Sequence, residues 1–518
     1  MRRRHLLTLL PAVPLATAAI APARFAHADT GPAKADDLDL RVMVWNVRSA
    51  TLAGIDPEMP AEVGLENRAQ LIEFLRERDP DVLFMIETYG SGEAILAGLN
   101  ADRPAANHYA GVQITEGRND PSENRDNLWL FTRLEVVEKF PTINEEITSS
   151  FNFGGVRAAL PNGDTICLFT TWLWHEGWAW GLTDDSVWDN AHGLPRRHTD
   201  ADILATDAVR RAEMATTILT ERMESFVRPD EQVIMGGDFN TLTHLDWSAE
   251  FADAPGHGGL VLDWPVLRQY TDAGFTDLFR TVHPDAGRYP GTTWSPVYGT
   301  GVAPGRIDYL LTRGAGITPL AARSDNQRLP EHEDFSRAAQ FPFYSDHGSV
   351  TSDVRVTAAG RRPWGPLTPL PEEVPTAPPT EPLGRRVPSS DITASATSEL
   401  AGHPAEFAID DDPTTMWHCD KTPETTLPQT LRLDLGQART LTALRHAPRQ
   451  RYNGIVHRYE VRTSVDGRRY RTQARGEFGY TSVPSVVPLR GRARYVELVV
   501  HHGYAGFASV AGLEVFQR

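Results

Sequence analysis

Gln232-Val233-Ile234-Met235-Gly236-Gly237-Asp238-Phe239-Asn240-Thr241 is the stretch on which the fold turns. Its short apolar start reads as a buried strand, and the acid and amide that follow sit where the chain leaves a sheet. Packing gives no reason for a carboxylate there, because burying an unpaired charge is strongly unfavourable. The arrangement recurs. Apolar runs rich in β-branched and aromatic residues at Leu40–Asn46, Val82–Ile86, Leu128–Thr132, Ile166–Thr171, Ile307–Leu311 and Ser349–Val354 read as further buried strands. Asn46 ends the first of these and Glu87 follows the second; Arg306-Ile307-Asp308-Tyr309 opens another, and Ser345-Asp346-His347-Gly348 precedes the last. Helical spacing lies between them, at Leu65, Ala69, Ile72 and Leu75 before Asp79-Pro80, and from Ala208 to Phe226 before Pro229. Strands mixed with helices over one long domain predict a layered α/β sandwich.

The chain has 518 residues, 41% apolar and 23% charged, enough for two to three domains with their own cores, which excludes disorder over the whole length. Lys and Arg number 51 against 68 Asp and Glu, a formal charge of −17 that argues against wrapping a polyanion on a basic surface. Arg2, Arg3 and Arg4 precede an apolar run from Leu6 to Ile20, and Ala26-His27-Ala28 has the small-x-small form of a cleavage site. Residues 1–28 therefore read as an export signal, twin-arginine-like because His5-Leu6-Leu7 follow Arg3-Arg4, and the mature protein is expected to be secreted. Pro11, Pro14 and the run's length count against a membrane anchor. Cys167 and Cys419 fall in separate domains and are expected to be free, buried thiols.

Pro363–Pro388 is proline-rich without helical or strand period and reads as a semi-extended linker. It divides a domain at 38–355 from one at 389–518, with 356–388 between. The second domain shows short strands at Leu431–Leu435, Arg458–Ser464, Tyr495–Val500 and Leu513–Phe516, with a turn at Asp466-Gly467 and almost no helical period, which predicts a β-sandwich or jelly roll.

The polar strand ends of the first domain are hard oxygen ligands. They suit Mg²⁺, Mn²⁺ or Ca²⁺, and no zinc-type Cys/His spacing is present. Magnesium with carboxylates and a nearby imidazole is equipment for phosphate ester hydrolysis.

Taken in order, Trp45-Asn46, Ile86-Glu87-Thr88, Gly237-Asp238-Phe239-Asn240, Arg306-Ile307-Asp308-Tyr309 and Ser345-Asp346-His347 resemble the signature of the endonuclease/exonuclease/phosphatase superfamily. That superfamily includes deoxyribonucleases, abasic-site endonucleases, inositol-polyphosphate 5-phosphatases and neutral sphingomyelinases. The resemblance implies a four-layer α/β/β/α sandwich. It implies that Glu87 is the principal ligand of Mg²⁺ (or Mn²⁺), completed or supported by Asn46 and Asp346. Asp238 would orient or deprotonate the attacking water, Asn240 would donate to phosphoryl oxygens, and His347, held by Asp308, would act at the phosphate. The sequence departs from the pattern at Thr170-Thr171-Trp172-Leu173, where many members carry a phosphate-binding His at the place of Trp172. His175 is the substitute that lies nearest in sequence.

Trp172, Trp174, Trp178, Trp180 and Trp188 crowd the same region, followed by His192, His198 and Asp200. Such an insertion packs on itself as a satellite core or leaves one or two rings to meet substrate. Arg118, Asn119 and Arg125 in the preceding loop are either phosphate contacts or solvated. From Asp391 on, Ala394-Ser395-Ala396, Ala408 to Trp417, Leu433-Asp434-Leu435-Gly436 and Gly512-Leu513-Glu514-Val515 resemble the discoidin, or coagulation factor type C, family, which overlaps with galactose-binding modules. That resemblance implies a structural Ca²⁺ at Asp412, Thr415 and Glu514, with Asp411 where a Gly is usual. It also places ligand contacts on His418, Asn453, His501, Tyr504 and Phe507. The expectation is a secreted, Mg²⁺-dependent phosphodiesterase carried to glycan or cell-surface material, its substrate a phospholipid head group, a nucleic acid or a phosphorylated glycan. A nuclease and an adhesion protein with an inactivated enzyme-like domain are the alternatives.

Overall fold

A computed structural model describes residues 36–48, 61–116, 126–142, 144–177, 179–294, 305–326, 345–375, 383–422, 426–449, 454–478 and 484–518. The export signal, Arg118, Asn119, Arg125, Trp178 and Asn453 lie outside these residues.

The first domain is built on twelve strands: β1 Leu38–Asn46, β2 Val82–Ile86, β3 Ala110–Gln113, β4 Leu128–Thr132, β5 Glu135–Lys139, β6 Phe153–Ala159, β7 Thr165–Trp172, β8 Gln232–Asp238, β9 Thr276–Asp277, β10 Asp308–Arg313, β11 Ile317–Asp325 and β12 Ser349–Val356. They form two mixed six-stranded sheets, ordered β11-β12-β1-β2-β4-β3 and β5-β6-β7-β8-β10-β9. Strands β1 and β2 run parallel, as do β7 and β8. Their apolar composition is continuous because both faces are covered. Inner faces meet in a core of Val42, Val44, Phe84, Leu130, Leu168, Ile234 and Leu310. Gly236 permits that approach: a Cβ there would lie 2.4 Å from a ring carbon of Phe84 across the interface.

Outside the first sheet pack helices α1 (Ala61–Arg78) and α2 (Gly92–Asn100), through Leu71, Phe74, Leu75, Ile95 and Leu99. The outer face of the second sheet is covered by Met214, Ile218 and Met223 of the helical stretch before Pro229 and by Val266 and Leu267. The result is the expected four-layer order. One helical expectation is corrected: α3 (Ala179–Ala191) and α4 (Asp200–Ala208) precede a break at Arg210, whose φ is 58°, and only then does α5 (Arg211–Thr217) begin. An L-residue in left-handed backbone ends a helix.

Register, parallel for β1/β2 and β7/β8 and antiparallel for β8/β10, decides where the polar strand ends go. Asn46 pairs with Ile86, so Glu87 emerges beside it; Trp172 pairs with Asp238, and Asp238 with Asp308 across β8 and β10. All leave the sheets at one end.

The expected linker is in part a strap on this domain. Arg362 and the Trp364 indole donate to the fully buried Asp81, Arg41 donates to the Thr368 carbonyl, and Ser324 donates to Glu373. Proline content alone hides those anchors.

The second domain is an antiparallel sandwich of ten strands: β13 Arg385–Arg386, β14 Thr393–Ala396, β15 Trp417–His418, β16 Gln429–Ala447, β17 Val456–Ser464, β18 Arg471–Glu477, β19 Ser485–Pro488, β20 Arg492–Gly503, β21 Ser509–Val510 and β22 Gly512–Gln517. β16 is far longer than its Leu431–Leu435 run suggests. Its first part pairs with β14 and β20, and after bulges at Asp434/Arg439 and Leu441/Ala443 its second part pairs with β19 and β22. Trp417, Leu431, Leu433, Leu444, Val496 and Val515 fill its core. Both cysteines are free and buried.

Candidate active site

The strand ends open into a cleft of about 1000 Å³ whose lining includes Glu87, Asp238, Asn240, Asp346, His347, Trp172 and His175. Asn46 and Asp308 stand just behind it. The Asn46 amide donates to Glu87 Oε1 at 2.9 Å and to Asp238 Oδ2 at 3.1 Å, tying the ends of three strands together. His347 Nδ1 lies 2.9 Å from Asp308 Oδ2, which turns Nε2 towards Asp238 Oδ2, 4.0 Å away. The rear of the histidine is fixed by the Trp45 indole, which donates to its carbonyl at 2.9 Å, and by Ser345, which accepts from its backbone N–H at 3.1 Å.

Strain marks the same place. Glu87 (φ 55°) and Asn240 (φ 51°) both adopt left-handed backbone, which swings each side chain off its strand axis into the cleft. The Asn127 side chain holds the first turn by accepting from the Glu87 N–H at 2.9 Å, and Asp238 the second by accepting from the Asn240 N–H at 2.9 Å.

Electrostatics follow from burial. Desolvation, together with Asp346, raises the Glu87 carboxyl above its ordinary value against the pull of His347, Asn46 and Arg48. Burial and the Asp308 charge lift Asp238 well above the usual carboxylate range. Burial draws the His347 imidazole down, but Asp308 outweighs it and carries the ring up to about 10, so it is a cation at neutral pH. Acidic charge still exceeds basic on this floor, and Asp308 Oδ1 is buried without a hydrogen-bond partner. Ligand atoms of Asp238, Asp308 and His347 lie within 4.8 Å of one another. With His347 charged and taken up by Asp308, the oxygen donors left for a divalent cation on this floor are the carboxylates of Glu87, Asp238 and Asp346, a set that fits one.

Two features, Arg48 and the Trp172 indole, were not legible in the sequence, and a third, tryptophans at the cleft, was one of the two outcomes it allowed. Arg48, also in left-handed backbone (φ 38°), reaches the cleft and donates to Asp346 Oδ2 at 2.9 Å. The Trp172 indole N–H donates to Glu87 Oε1 at 3.2 Å, so this ring braces a site carboxylate from behind where a histidine was the family expectation. Trp174, Trp180 and Trp294 join the cleft wall, with His175 exposed between the Trp172 and Trp174 rings at centroid distances of 5.2 and 5.3 Å. Of the tryptophan-rich insertion, Trp180 also packs with Val187, Ile203, Trp247, Leu262 and Trp264 in a satellite core. The fully buried Arg211 pins the insertion's entry by donating to the carbonyls of Trp174 and Glu176, both at 2.7 Å.

A profile of the Endonuclease/Exonuclease/phosphatase family matches residues 43–347, and an F5/8 type C domain matches 391–513. The chain belongs to the endonuclease/exonuclease/phosphatase family. Its first domain is thus a hydrolase of phosphate ester bonds, followed by a discoidin-type carbohydrate-binding module. An uncharacterized protein of Caenorhabditis elegans is 30% identical over 24% of this chain and 41% of its own length. An A type blood N-acetyl-α-D-galactosamine deacetylase of Flavonifractor plautii is 29% identical over 25% of this chain. The chain thus spans 41% and 18% of these two curated relatives. Among solved structures, the Clostridium perfringens module CpGH89CBM32-5, in complex with GalNAc-β-1,3-galactose, is 33% identical over 26% of this chain and 99% of its own, with a TM-score of 0.25. The family 32 module of C. perfringens NanJ, in complex with galactose, is 34% identical over 25% of this chain and 96% of its own, with a TM-score of 0.24.

In the second domain two expectations are corrected. His418 is buried, its Nδ1 2.6 Å from the Cys419 carbonyl and its ring beside Phe507, so it is no surface contact, whereas Tyr504 and Phe507 are half-buried. The calcium set does not fit either. Asp412 Oδ1 accepts from the Thr414 N–H and hydroxyl, and Thr415 donates to Asp410. Glu514 gives one oxygen to Arg386 at 3.2 Å and the other to Arg445 at 3.0 Å. Asp411 keeps the expected turn with φ 64° and pairs with Arg386 as well. Guanidinium groups already supply positive charge to Glu514 and Asp411. Millimolar Ca²⁺ added in saturating Mg²⁺ should therefore leave Tm unchanged; a rise of several degrees, the mark of an ion bound only by the folded state, would restore the calcium site.

Proposed function

We propose that the protein is an exported phosphodiesterase that depends on Mg²⁺ or Mn²⁺ and is brought to glycan-bearing material by its second domain. The observation that carries the catalytic part is the Asp308–His347 pair aimed at Asp238 across 4.0 Å, with Glu87 on the same cleft floor. A phosphoryl group in the cleft in front of this pair meets a fixed imidazolium and a carboxylate of raised proton affinity side by side.

Asp238 accepts the proton of the attacking water, the task its raised affinity suits. Asn240 keeps one amide hydrogen for a phosphoryl oxygen while the other donates to the Leu173 carbonyl at 3.1 Å. His347, held charged by Asp308, stabilises the equatorial oxygens as negative charge grows. Glu87 would hold the ion, with Asn46 orienting that carboxylate and Asp346 beside it. The ion would neutralise phosphoryl charge and polarise the phosphorus.

Trp172→Phe keeps the ring and deletes the N–H to Glu87. By analogy with other groups that orient a metal ligand, Mn²⁺ affinity should fall by about 10-fold, read by calorimetric or paramagnetic titration independently of turnover. Unchanged affinity would show that the indole is a wall only.

Hydrolysis of bis(p-nitrophenyl) phosphate with Mg²⁺ or Mn²⁺, run beside the Asp238→Ala protein, tests the catalytic reading; no turnover by the native chain would end it. Glycan recognition is supported by the discoidin-type family of the second domain and by a relative whose name is that of a deacetylase of a blood-group sugar. A glycan array with the full chain beside Phe507→Ala should show binding that the variant loses, and silence on the array would leave the module without this role. Export rests on the first 28 residues. Among the described residues no helix is long and apolar enough to cross a membrane.

A further inference from the structure

We propose that the cleft takes an isolated phosphodiester attached to a neutral sugar, and not a polynucleotide strand; this rests on the phosphodiesterase reading above. Three properties of the lining converge on it.

The first is charge. A strand is held through many phosphates at once, and each contact needs a cation that is free to meet it. Here the described lining offers Arg48 and Arg210 besides His347, and Arg48 is already paired with Asp346. Glu116, Glu145 and Glu146 stand on the same wall. Lys139 and Arg222 answer the first two, but the exposed Glu146 has no ion-pair partner among the described residues. Among the described residues, this lining would hold one phosphate and offers little free positive charge to the next.

The second is aromatic surface. Trp180 and Trp294 stand 5.5 Å apart with their planes inclined by 58°, a corner rather than a parallel stack, and Trp294 is 6.4 Å from the His347 ring. An inclined corner beside the reacting phosphate fits the C–H face of a pyranose better than a run of flat bases.

The third is the company those rings keep. Asn144, Glu146, Ser149 and Asn152 line the same cleft, and amides and carboxylates are the partners that sugar hydroxyls use. A quaternary ammonium would also favour indoles and acids. The Arg210 guanidinium already sits over Trp174 at 4.1 Å, which takes that ring out of such a cage and leaves the choline diester as a direct competitor in the test below.

The experiment compares kcat/KM, with saturating Mg²⁺, for methyl galactoside 6-(methyl phosphate), thymidylyl-(3′,5′)-thymidine and glycerophosphocholine. Bis(p-nitrophenyl) phosphate serves as the control for the underlying reading. If the native chain fails on the control, the phosphodiesterase reading falls and takes this one with it. With the control turned over, a preference of about 10-fold or more for the sugar diester supports the proposal, a step one well-made set of contacts supplies. Equal or better turnover of the dinucleotide or of the choline diester overturns it. Glu146→Gln, a substitution at an exposed side chain, should raise KM for the sugar diester about 3-fold or more, and Trp294→Ala about 10-fold, each with Tm retained. An unchanged KM in both variants would overturn the stacking and hydroxyl contacts.

Discussion

Asp238→Asn should lower kcat on any phosphodiester the enzyme accepts by about 10²–10⁴-fold, the range for removing a positioned general base, while Tm is retained or raised. The two halves have one origin. Asp238 is buried beside Asp308, and that surrounding drives its proton affinity up, which makes the carboxylate both a better base and a strained tenant of the folded state. An amide of the same shape keeps one of the two hydrogen bonds that Asp238 accepts, from the Asn46 amide at Oδ2 or from the Asn240 N–H at Oδ1, and it carries no charge to desolvate. Loss of activity with intact folding is the pattern of a site that trades stability for chemistry. A variant within 3-fold of the native kcat would remove Asp238 from the mechanism, and a large drop in Tm would make it a structural acid.

The second large effect concerns stability. Asp81→Asn should cost about 3–5 kcal/mol in denaturant unfolding of the first domain, the range for stripping a buried charge of its partner. Asp81 is fully buried, accepts from the Arg41 N–H at 2.9 Å and from Arg362 at 2.8 Å, and stands 3.6 Å from Arg133. Arg133 is itself buried, so a neutral residue at 81 leaves its guanidinium with only Asp79 for compensation. The strap loses Arg362 and Trp364 together, and limited proteolysis should then cut between 361 and 373, where the native chain resists. A loss under 1 kcal/mol with no new cleavage would mean the strap is held by other contacts.

Much of this site could be read from the chain because the buried strands are largely apolar, so an acid, amide or imidazole where one stops or starts stands out. Asn46, Glu87, Asp238, Asp308 and His347 were visible for that reason, and register alone brings them together. What stayed hidden depends on backbone turns and on single donors. Left-handed φ at Arg48 delivers a guanidinium that reads in sequence as one more loop arginine. Trp172 looked like a gap in the pattern, yet its N–H points at the carboxylate a histidine would have neighboured. His418 follows a core tryptophan on a two-residue strand, and nothing local shows that its ring turns inward. In the calcium set, Arg386 and Arg445, remote in sequence from Asp412, pair with Glu514, and nothing local to Asp412 announces them. The tryptophan-rich insertion divides as composition allowed, with Trp188 buried, Trp174 on the cleft wall, and Trp180 at that wall with most of its ring in the satellite core.

β16 belongs to two ladders at once, its first part hydrogen-bonded to β14 and β20 and its second to β19 and β22. A single backbone thus forms a common spine, and neither half of the sandwich can peel away without dragging the other's central strand. Amide exchange across the sandwich should therefore report one cooperative opening, with Leu431 and Leu444 gaining deuterium in step.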